Sequence, residues 1–306
     1  MNTPSQAVPE PPLGSQPVEP AAMSATRPMY WSIRRELWEN RSIYIAPLVV
    51  AAVFLLGIVV SMVHLAERRR AVLLLDPAQQ QAAIEKPYDI GAMLLILTAF
   101  LVGVFYCLDA LHGERRDRTI LFWKSLPVSD LTTVLSKATI PLVILPLITF
   151  AIVVATQLIV LLLSSAVLLA SGLSAAPWTP LSQSSLVLLY GLVVLALWHA
   201  PVYGWLLLVS GWARRAVFLW AVLPLVAIQV VEKIAFNTSY FGSMLNHRLM
   251  GFAAEAFAFN GHGTINSLTQ LTPGRFLSTP GLWVGLIFAA AFLAAAARLR
   301  RYREPI

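Results

Sequence analysis

Six long apolar runs occupy most of the chain, and shorter polar segments separate them. A helix needs about 20 consecutive apolar residues to cross the hydrocarbon core of a bilayer. The runs therefore predict six transmembrane helices, which we number spans 1–6. Their predicted ranges are about 44–65, 90–111, 131–163, 186–210, 216–236 and 282–297. This pattern is typical of an all-α polytopic membrane protein.

Breaking and polar residues add detail to this pattern. Pro141 and Pro146 lie inside span 3 and predict a distortion of its helix. Ser129 or Asp130 is expected to cap the start of that span. Residues 237–281 are too apolar for a free loop, yet each apolar run is too short to cross a bilayer. We expect short re-entrant helices there, buried against the spans; a total of seven or eight spans is the alternative.

The segment before span 1 divides into two parts. Residues 1–28 contain seven prolines and no apolar core, and they are expected to be disordered. Residues 29–42 predict an amphipathic helix lying in the membrane interface, because tryptophans favour the headgroup zone and arginine side chains can extend to phosphates. An ordinary helical cap before span 1 is the alternative. The candidate interfacial residues are Trp31, Arg34, Arg35 and Trp38. Arg35 and Glu36 are expected on the polar side of the helix.

Composition supports the membrane assignment and indicates an orientation. Apolar residues make up 58% of the 306 residues and charged residues only 12%, about half of the roughly 25% found in soluble domains. The net charge of +7 fits the excess of Lys and Arg in cytoplasmic loops. With both termini in the cytoplasm, fifteen Lys and Arg residues lie inside and seven outside. The cluster Arg68–Arg70 goes against this rule.

Motifs for catalysis and for nucleotide or metal binding are missing from the sequence. It contains no GxxxxGK[ST], HExxH, GxSxG or CxxC motif. The five histidines have no metal-ligand spacing, so no metal site and no catalytic residues are predicted. The single cysteine, Cys107, lies in an apolar run and is expected to be a packing residue. His199, inside span 4, is expected to be a hydrogen-bonded residue of the bundle.

The most densely charged stretch, His112–Lys137, connects spans 2 and 3. Its middle, Thr119–Ser125, is a short apolar segment between a charged end and a proline break. Exposed aromatic and aliphatic side chains such as Phe122 and Trp123 are costly to leave in water, and they are typical of a docking surface. A solvated loop is the alternative.

This stretch resembles the signature of ABC-2 type transporter permeases. The residues that carry the resemblance are Glu114-Arg115-Arg116-Asp117-Arg118-Thr119, Lys124-Ser125-Leu126-Pro127-Val128-Ser129 and Lys137. The interfacial helix, the six spans and the short helices before span 6 are also similar to that family's architecture. The Arg68–Arg70 cluster departs from it.

The resemblance implies the permease subunit of an ATP-driven ABC transporter in the bacterial inner membrane, multi-pass, with both termini cytoplasmic and with export as the expected direction. The chain itself would not be an enzyme and would bind no cofactor, since ATP and Mg would bind the partner ATPase. Expected partners are cytosolic ATPase subunits, a second permease subunit in a homo- or heterodimer, and the lipid bilayer, but not nucleic acid. The alternatives are an integral-membrane enzyme and a non-transport assembly or regulatory protein.

The resemblance also assigns candidate site residues. Thr119–Ser125 would be a coupling helix that enters a groove of the ATPase. The implied coupling residues are Glu114, Arg116, Arg118, Thr119, Ile120, Leu121, Phe122, Trp123 and Lys124. Asp109 and Glu232 are candidates for a translocation path, because ionisable residues inside a membrane are functional candidates by default. In the alternative interpretation Asp109 pairs with Arg115 or Arg116, and Glu232 reaches the headgroups.

Overall fold

The computed structural model describes residues 26–117, 128–176, 179–258 and 268–302. These residues are helical apart from short connections and one isolated β-bridge between Phe257 and Leu271. The α-helices are α1 Thr26–Glu39, α2 Ser42–Ser61, α3 Leu65–Val72, α4 Pro77–Ala110, α5 His112–Arg116, α6 Asp130–Thr139, α7 Leu145–Ala170, α8 Thr179–Trp212, α9 Val217–Phe236, α10 Tyr240–Met250, α11 Phe252–Ala256, α12 Pro273–Ser278 and α13 Pro280–Tyr302.

Six helical stretches of the described chain are long and apolar enough to cross a membrane. They confirm the prediction of an all-α polytopic protein with six spans. Their bounds are Ser42–Val72, Gln79–Arg116, Asp130–Ala170, Ser182–Trp212, Val217–Phe236 and Pro280–Tyr302. The predicted proline-rich tail lies outside the described residues except for its last three positions.

Several helices extend beyond the apolar runs that predict them. The helix of span 2 begins at Pro77, about a dozen residues before the apolar run, and the segment it adds is rich in Ala and Gln. Both are good helix formers, and proline suits the first helical position because its missing N–H needs no partner there. Hydropathy identifies only the part of a helix that the bilayer covers, so it could not place these polar ends.

Span 3 is capped and distorted at the predicted positions. The Ser129 hydroxyl accepts a hydrogen bond from the backbone N–H of Thr132 at 3.1 Å, which makes Ser129 the N-cap. The backbone then forms a π-helical turn over Ile140–Ile144, which includes Pro141. Proline cannot donate the usual helical hydrogen bond, so the distortion falls at the first of the two prolines.

Span 4 lies at the centre of the bundle. Half of its apolar stretch is buried, against 17% for span 1 and 11% for span 5. It packs against spans 2, 3, 5 and 6, and most extensively against span 6. Gly204 makes this last contact close, since a Cβ there would lie 3.3 Å from the carbonyl oxygen of Ala289. Spans 1 and 5 therefore expose the largest fraction of apolar surface.

The short helices α10–α12 connect spans 5 and 6 and pack on span 4. The Tyr190 hydroxyl donates to the Ala256 carbonyl at 3.1 Å, and the Trp198 indole N–H donates to the Arg248 carbonyl at 2.8 Å. Phe257 and Phe276 belong to the same buried apolar cluster as Trp198. The structure confirms short helices packed against the spans, and their depth in a bilayer stays a prediction.

Candidate functional site

Four buried charged side chains meet at one end of the bundle, beside the segment that connects spans 2 and 3. They are 2–7% exposed and come from α1, α5, α6 and the last helix. We call them the ion cluster, and the end of the bundle where they lie the charged end. The members are Glu36, Glu114, Lys137 and Arg300.

Lys137 is the centre of the ion cluster. Its Nζ lies 2.8 Å from Oε1 of Glu36 and 3.2 Å from Oε1 of Glu114. Arg300 continues the cluster, with Nη2 at 3.1 Å from Oε2 of Glu114 and Nη1 at 3.4 Å from Oδ1 of Asp130. The Tyr106 hydroxyl donates to Oε2 of Glu36 at 2.8 Å.

The charges of the ion cluster balance, since two carboxylates face two cations. Removing such charges from water costs several kcal/mol per ion, and only close pairing and hydrogen bonding offset that cost. Glu36 and Lys137 are 101 residues apart in sequence, and Glu114 and Arg300 are 186 residues apart. The cluster therefore fixes α1 and the ends of spans 2, 3 and 6 against one another.

A second set of contacts fixes the end of span 2 to the end of span 4. The helix of span 2 is interrupted at Leu111, where α4 ends and α5 begins. The buried Ser210 hydroxyl accepts from the backbone N–H groups of Leu111 and His112, at 3.1 and 2.9 Å. The buried Arg115 guanidinium donates to the carbonyl of Gly211 at 2.9 Å. These bonds satisfy backbone groups that the end of a helix leaves without partners.

The structure describes only two of the residues expected to couple to an ATPase. Glu114 lies inside the ion cluster, so its carboxylate contacts Lys137 and Arg300 of this chain. A coupling residue would be expected to lie at the surface instead. Arg116 is exposed and pairs with Asp117 at 3.0 Å and with Asp109 at 3.8 Å. The other coupling candidates, Arg118, Thr119, Ile120, Leu121, Phe122, Trp123 and Lys124, lie outside the described residues.

Helix α1 has a different buried face from the one its pattern indicates. Ile33 and Leu37 pack on the main core, and Glu36, expected on the polar side, is buried with them. Trp31 and Trp38 are 59% and 70% exposed. Arg34 lies between these two rings, and Arg35 pairs with Glu39 at 2.6 Å and with Glu114 at 3.7 Å.

The two candidates for a translocation path lie at opposite ends of the bundle. Asp109 is near the charged end, where it pairs with Arg116 as the alternative interpretation anticipated. Glu232, near the far end of span 5, accepts from the backbone N–H groups of Tyr240 and Phe241 at 2.6 and 2.9 Å and from the Thr238 hydroxyl at 2.9 Å. Its carboxylate caps the start of α10.

Arg248 attaches α10 to spans 4 and 6 at the end opposite the ion cluster. Its guanidinium carbon lies 4.7 Å from the centre of the Trp198 ring, and Nη1 donates to the Gly281 carbonyl at 3.1 Å. Its Nη2 occupies the space that a Cβ on Gly285 would need. Burial lowers the pKa of the Arg248 side chain.

His199 and Cys107 have the surroundings that the sequence predicts. His199 has Nδ1 at 3.0 Å from the Leu195 carbonyl and Nε2 at 3.2 Å from the Leu249 carbonyl, so it connects span 4 to α10. Cys107 is fully buried in the main core. No group of three or more His, Cys, Asp or Glu side chains that could hold a metal ion occurs in the part of the chain that the structure describes.

Sequence reasoning missed three members of the ion cluster as site residues: Glu36, Lys137 and Arg300. Lys137 carried a signal, because a lone lysine at the start of an apolar span needs a partner. Glu36 and Arg300 carried none. Glu36 fell on the polar side of its helix, and Arg300 belongs to a basic terminal group that orientation alone explains.

Comparisons with models of known protein families, with curated proteins and with solved structures find no match.

Proposed function

We propose that the chain is the membrane-spanning permease subunit of an ATP-driven ABC transporter, an exporter whose ATP hydrolysis takes place on separate cytosolic ATPase subunits. One observation carries the proposal: two described residues, one on each side of the apolar docking segment Thr119–Ser125 in the sequence, are bonded to one arginine. Glu114 lies five residues before Thr119, and Asp130 lies five residues after Ser125. Both carboxylates are bonded to the same guanidinium, that of Arg300.

This arrangement gives the docking segment a mechanical role. Because Glu114 and Asp130 are both bonded to Arg300, a force on the segment between them would be transmitted to the helices that the ion cluster holds. Closure of an ATPase pair on Phe122 and Trp123 would then displace α1 and the inner ends of spans 2, 3 and 6 together. The contacts of Ser210 and Arg115 would extend the displacement to span 4. Energetic coupling of this kind travels through packed elements and polar networks.

The exposed spans favour a two-subunit pathway. Spans 1 and 5 have the smallest buried fractions of the six, 17% and 11%, so they offer the most surface to a second permease subunit. We place the substrate path between the two halves, along spans 1, 2 and 5. The charged end would face the cytoplasm of a bacterial cell, with both termini on that side. ATP and Mg would bind only the partner ATPase.

The docking segment provides the test. Replacing both Phe122 and Trp123 with aspartate should abolish co-purification of the full-length chain with an ATPase that carries Walker motifs, since two charges would replace the two apolar side chains that enter the groove. Tyr302→Asp is the matched control, because Tyr302 is an exposed aromatic residue, 73% exposed, near the same end. Mass spectrometry of the purified complexes gives the molar ratio. An unchanged ratio in the double variant would rule out docking through this segment.

A further inference from the structure

Aromatic and basic side chains form an exposed surface on α1 and on Arg41, two residues beyond the end of the helix. The residues on α1 are spaced three or four apart, so their side chains are neighbours on the helix surface. We call this surface the aromatic–basic stripe; its members are Tyr30, Trp31, Arg34, Trp38 and Arg41. Other residues of α1 are already used within the chain, because Ile33 and Leu37 pack on the core and Glu36 joins the ion cluster.

Arg34 is oriented by two indole rings. Its guanidinium carbon lies 5.3 Å from the centre of the Trp31 ring and 5.0 Å from the centre of the Trp38 ring. Stacking on an aromatic face leaves the N–H groups at the edge of a guanidinium free to bind an anion. Within the described chain, no carboxylate lies within ion-pairing distance of Arg34. Both acids of the helix are paired elsewhere: Glu36 with Lys137 at 2.8 Å and Glu39 with Arg35 at 2.6 Å.

The stripe is continuous with the start of a membrane span. Span 1 begins at Ser42, one residue after Arg41, and Glu36 on the same helix fixes α1 to the charged end of the bundle. The stripe therefore lies at the level where span 1 leaves the hydrocarbon core. Indole rings favour this headgroup level, because they combine an apolar body with a polar N–H.

We infer that the aromatic–basic stripe binds the phosphate of an anionic phospholipid headgroup, with Arg34 as the phosphate-contacting residue. A guanidinium matches a phosphate with two parallel hydrogen bonds. Net positive charge on the stripe favours an anionic lipid over a zwitterionic one, whose own cation compensates its phosphate. A free phosphate ion would leave both indole rings in water, whereas a lipid covers them. This inference does not depend on transport or on an ATPase.

The test uses the full-length chain in detergent, titrated with phosphatidylglycerol or phosphatidylcholine and observed by native mass spectrometry. Arg34→Gln should weaken the first phosphatidylglycerol binding step about fivefold, the effect of one Arg at a membrane surface. Phosphatidylcholine binding should stay unchanged. Arg301→Gln is the matched control, since Arg301 is also an exposed arginine stacked on an aromatic ring, with 5.8 Å between its guanidinium carbon and the centre of the Tyr302 ring. Equal melting temperatures of the two variants show that both remain folded.

Three outcomes would overturn the inference. Equal affinity of the unsubstituted chain for both lipids would remove the preference for anionic headgroups. An equal loss in Arg34→Gln and Arg301→Gln would show that general charge and not the stripe binds the lipid. Displacement of phosphatidylglycerol by equimolar soluble glycerol phosphate would show that the site recognises a free phosphate and not a membrane lipid.

Discussion

Replacing Lys137 with methionine should lower the free energy of unfolding by about 3–5 kcal/mol, the cost of leaving a buried charge without its partner. Lys137 is 2% exposed and lies within 3.2 Å of the carboxylates of both Glu36 and Glu114. Methionine has a similar length, so the substitution removes the charge and leaves most of the packing. Glu36 would then lose the lysine that lies 2.8 Å from it, whereas Glu114 would keep its contacts with Arg300 and Arg35. Titration of the folded protein with sodium dodecyl sulfate in mixed micelles measures the change.

Two further variants separate the charge effect from a packing effect. Lys86→Met removes an exposed lysine from the helix of span 2 and should change the free energy of unfolding by less than about 0.5 kcal/mol, as surface substitutions usually do. Adding Glu36→Gln to Lys137→Met should recover part of the loss, because it removes the carboxylate that the substitution leaves without its lysine. If Lys137→Met is as stable as Lys86→Met, the ion cluster does not fix the four helices.

Replacing Gly285 with valine should detach α10 and α11 from spans 4 and 6. The space that a side chain at Gly285 needs is occupied by Nη2 of Arg248. The guanidinium would have to leave its position over Trp198 and lose its bond to the Gly281 carbonyl. Overpacking of this kind costs about 1–3 kcal/mol. The carbonyls of Arg248 and Leu249 accept hydrogen bonds from the side chains of Trp198 and His199. Displacement of Arg248 should therefore weaken these bonds as well and loosen the layer of short helices.

Cysteine labelling reports this detachment directly. A reporter introduced as Ala256→Cys lies in the layer of short helices, whereas the natural Cys107 is fully buried in the main core. Ala256 is also fully buried, so a maleimide should react slowly with both cysteines in an otherwise unchanged chain. In the Gly285→Val background the reporter should react about tenfold faster, as a loss of roughly 1–3 kcal/mol in local stability implies, and Cys107 should not. Gly274→Val is the control, because a Cβ at that position would meet no atom of the described residues within 4 Å, apart from its chain neighbours and its own helix. Equal labelling in both backgrounds would show that Arg248 does not hold the short helices.

The spans were predictable because a bilayer imposes a length of apolar sequence on each of them. The six runs, the Ser129 cap and the distortion at Pro141 all follow from residues close together in sequence. The polar beginning of the span 2 helix at Pro77 did not follow, because helix propensity and not hydropathy decides it.

The faces of the helices were harder to predict. In a soluble protein, apolar side chains indicate the interior, but in a bilayer both the interior and the lipid-facing surface are apolar. Helix α1 shows the consequence. Tyr30 and Leu37 are seven residues apart and so fall on the same side of a helical wheel, yet Leu37 packs on the core and Tyr30 is 59% exposed. Glu36 is buried because Lys137 lies opposite it, and a pairing across 101 residues leaves no local trace in the sequence.

ATP hydrolysis by the purified full-length chain with its bound partner, reconstituted in vesicles, tests the central proposal most directly. The sequence contains no Walker-type loop, so hydrolysis should come entirely from the co-purified ATPase. The unsubstituted chain and Tyr302→Asp should show equal rates per mole of chain. The chain with both Phe122→Asp and Trp123→Asp should show less than about a tenth of that rate, since docking through two apolar anchors carries most of such an interface. Equal rates in the three preparations, or no hydrolysis with the unsubstituted chain, would contradict the proposal that this is a permease driven by a separate ATPase.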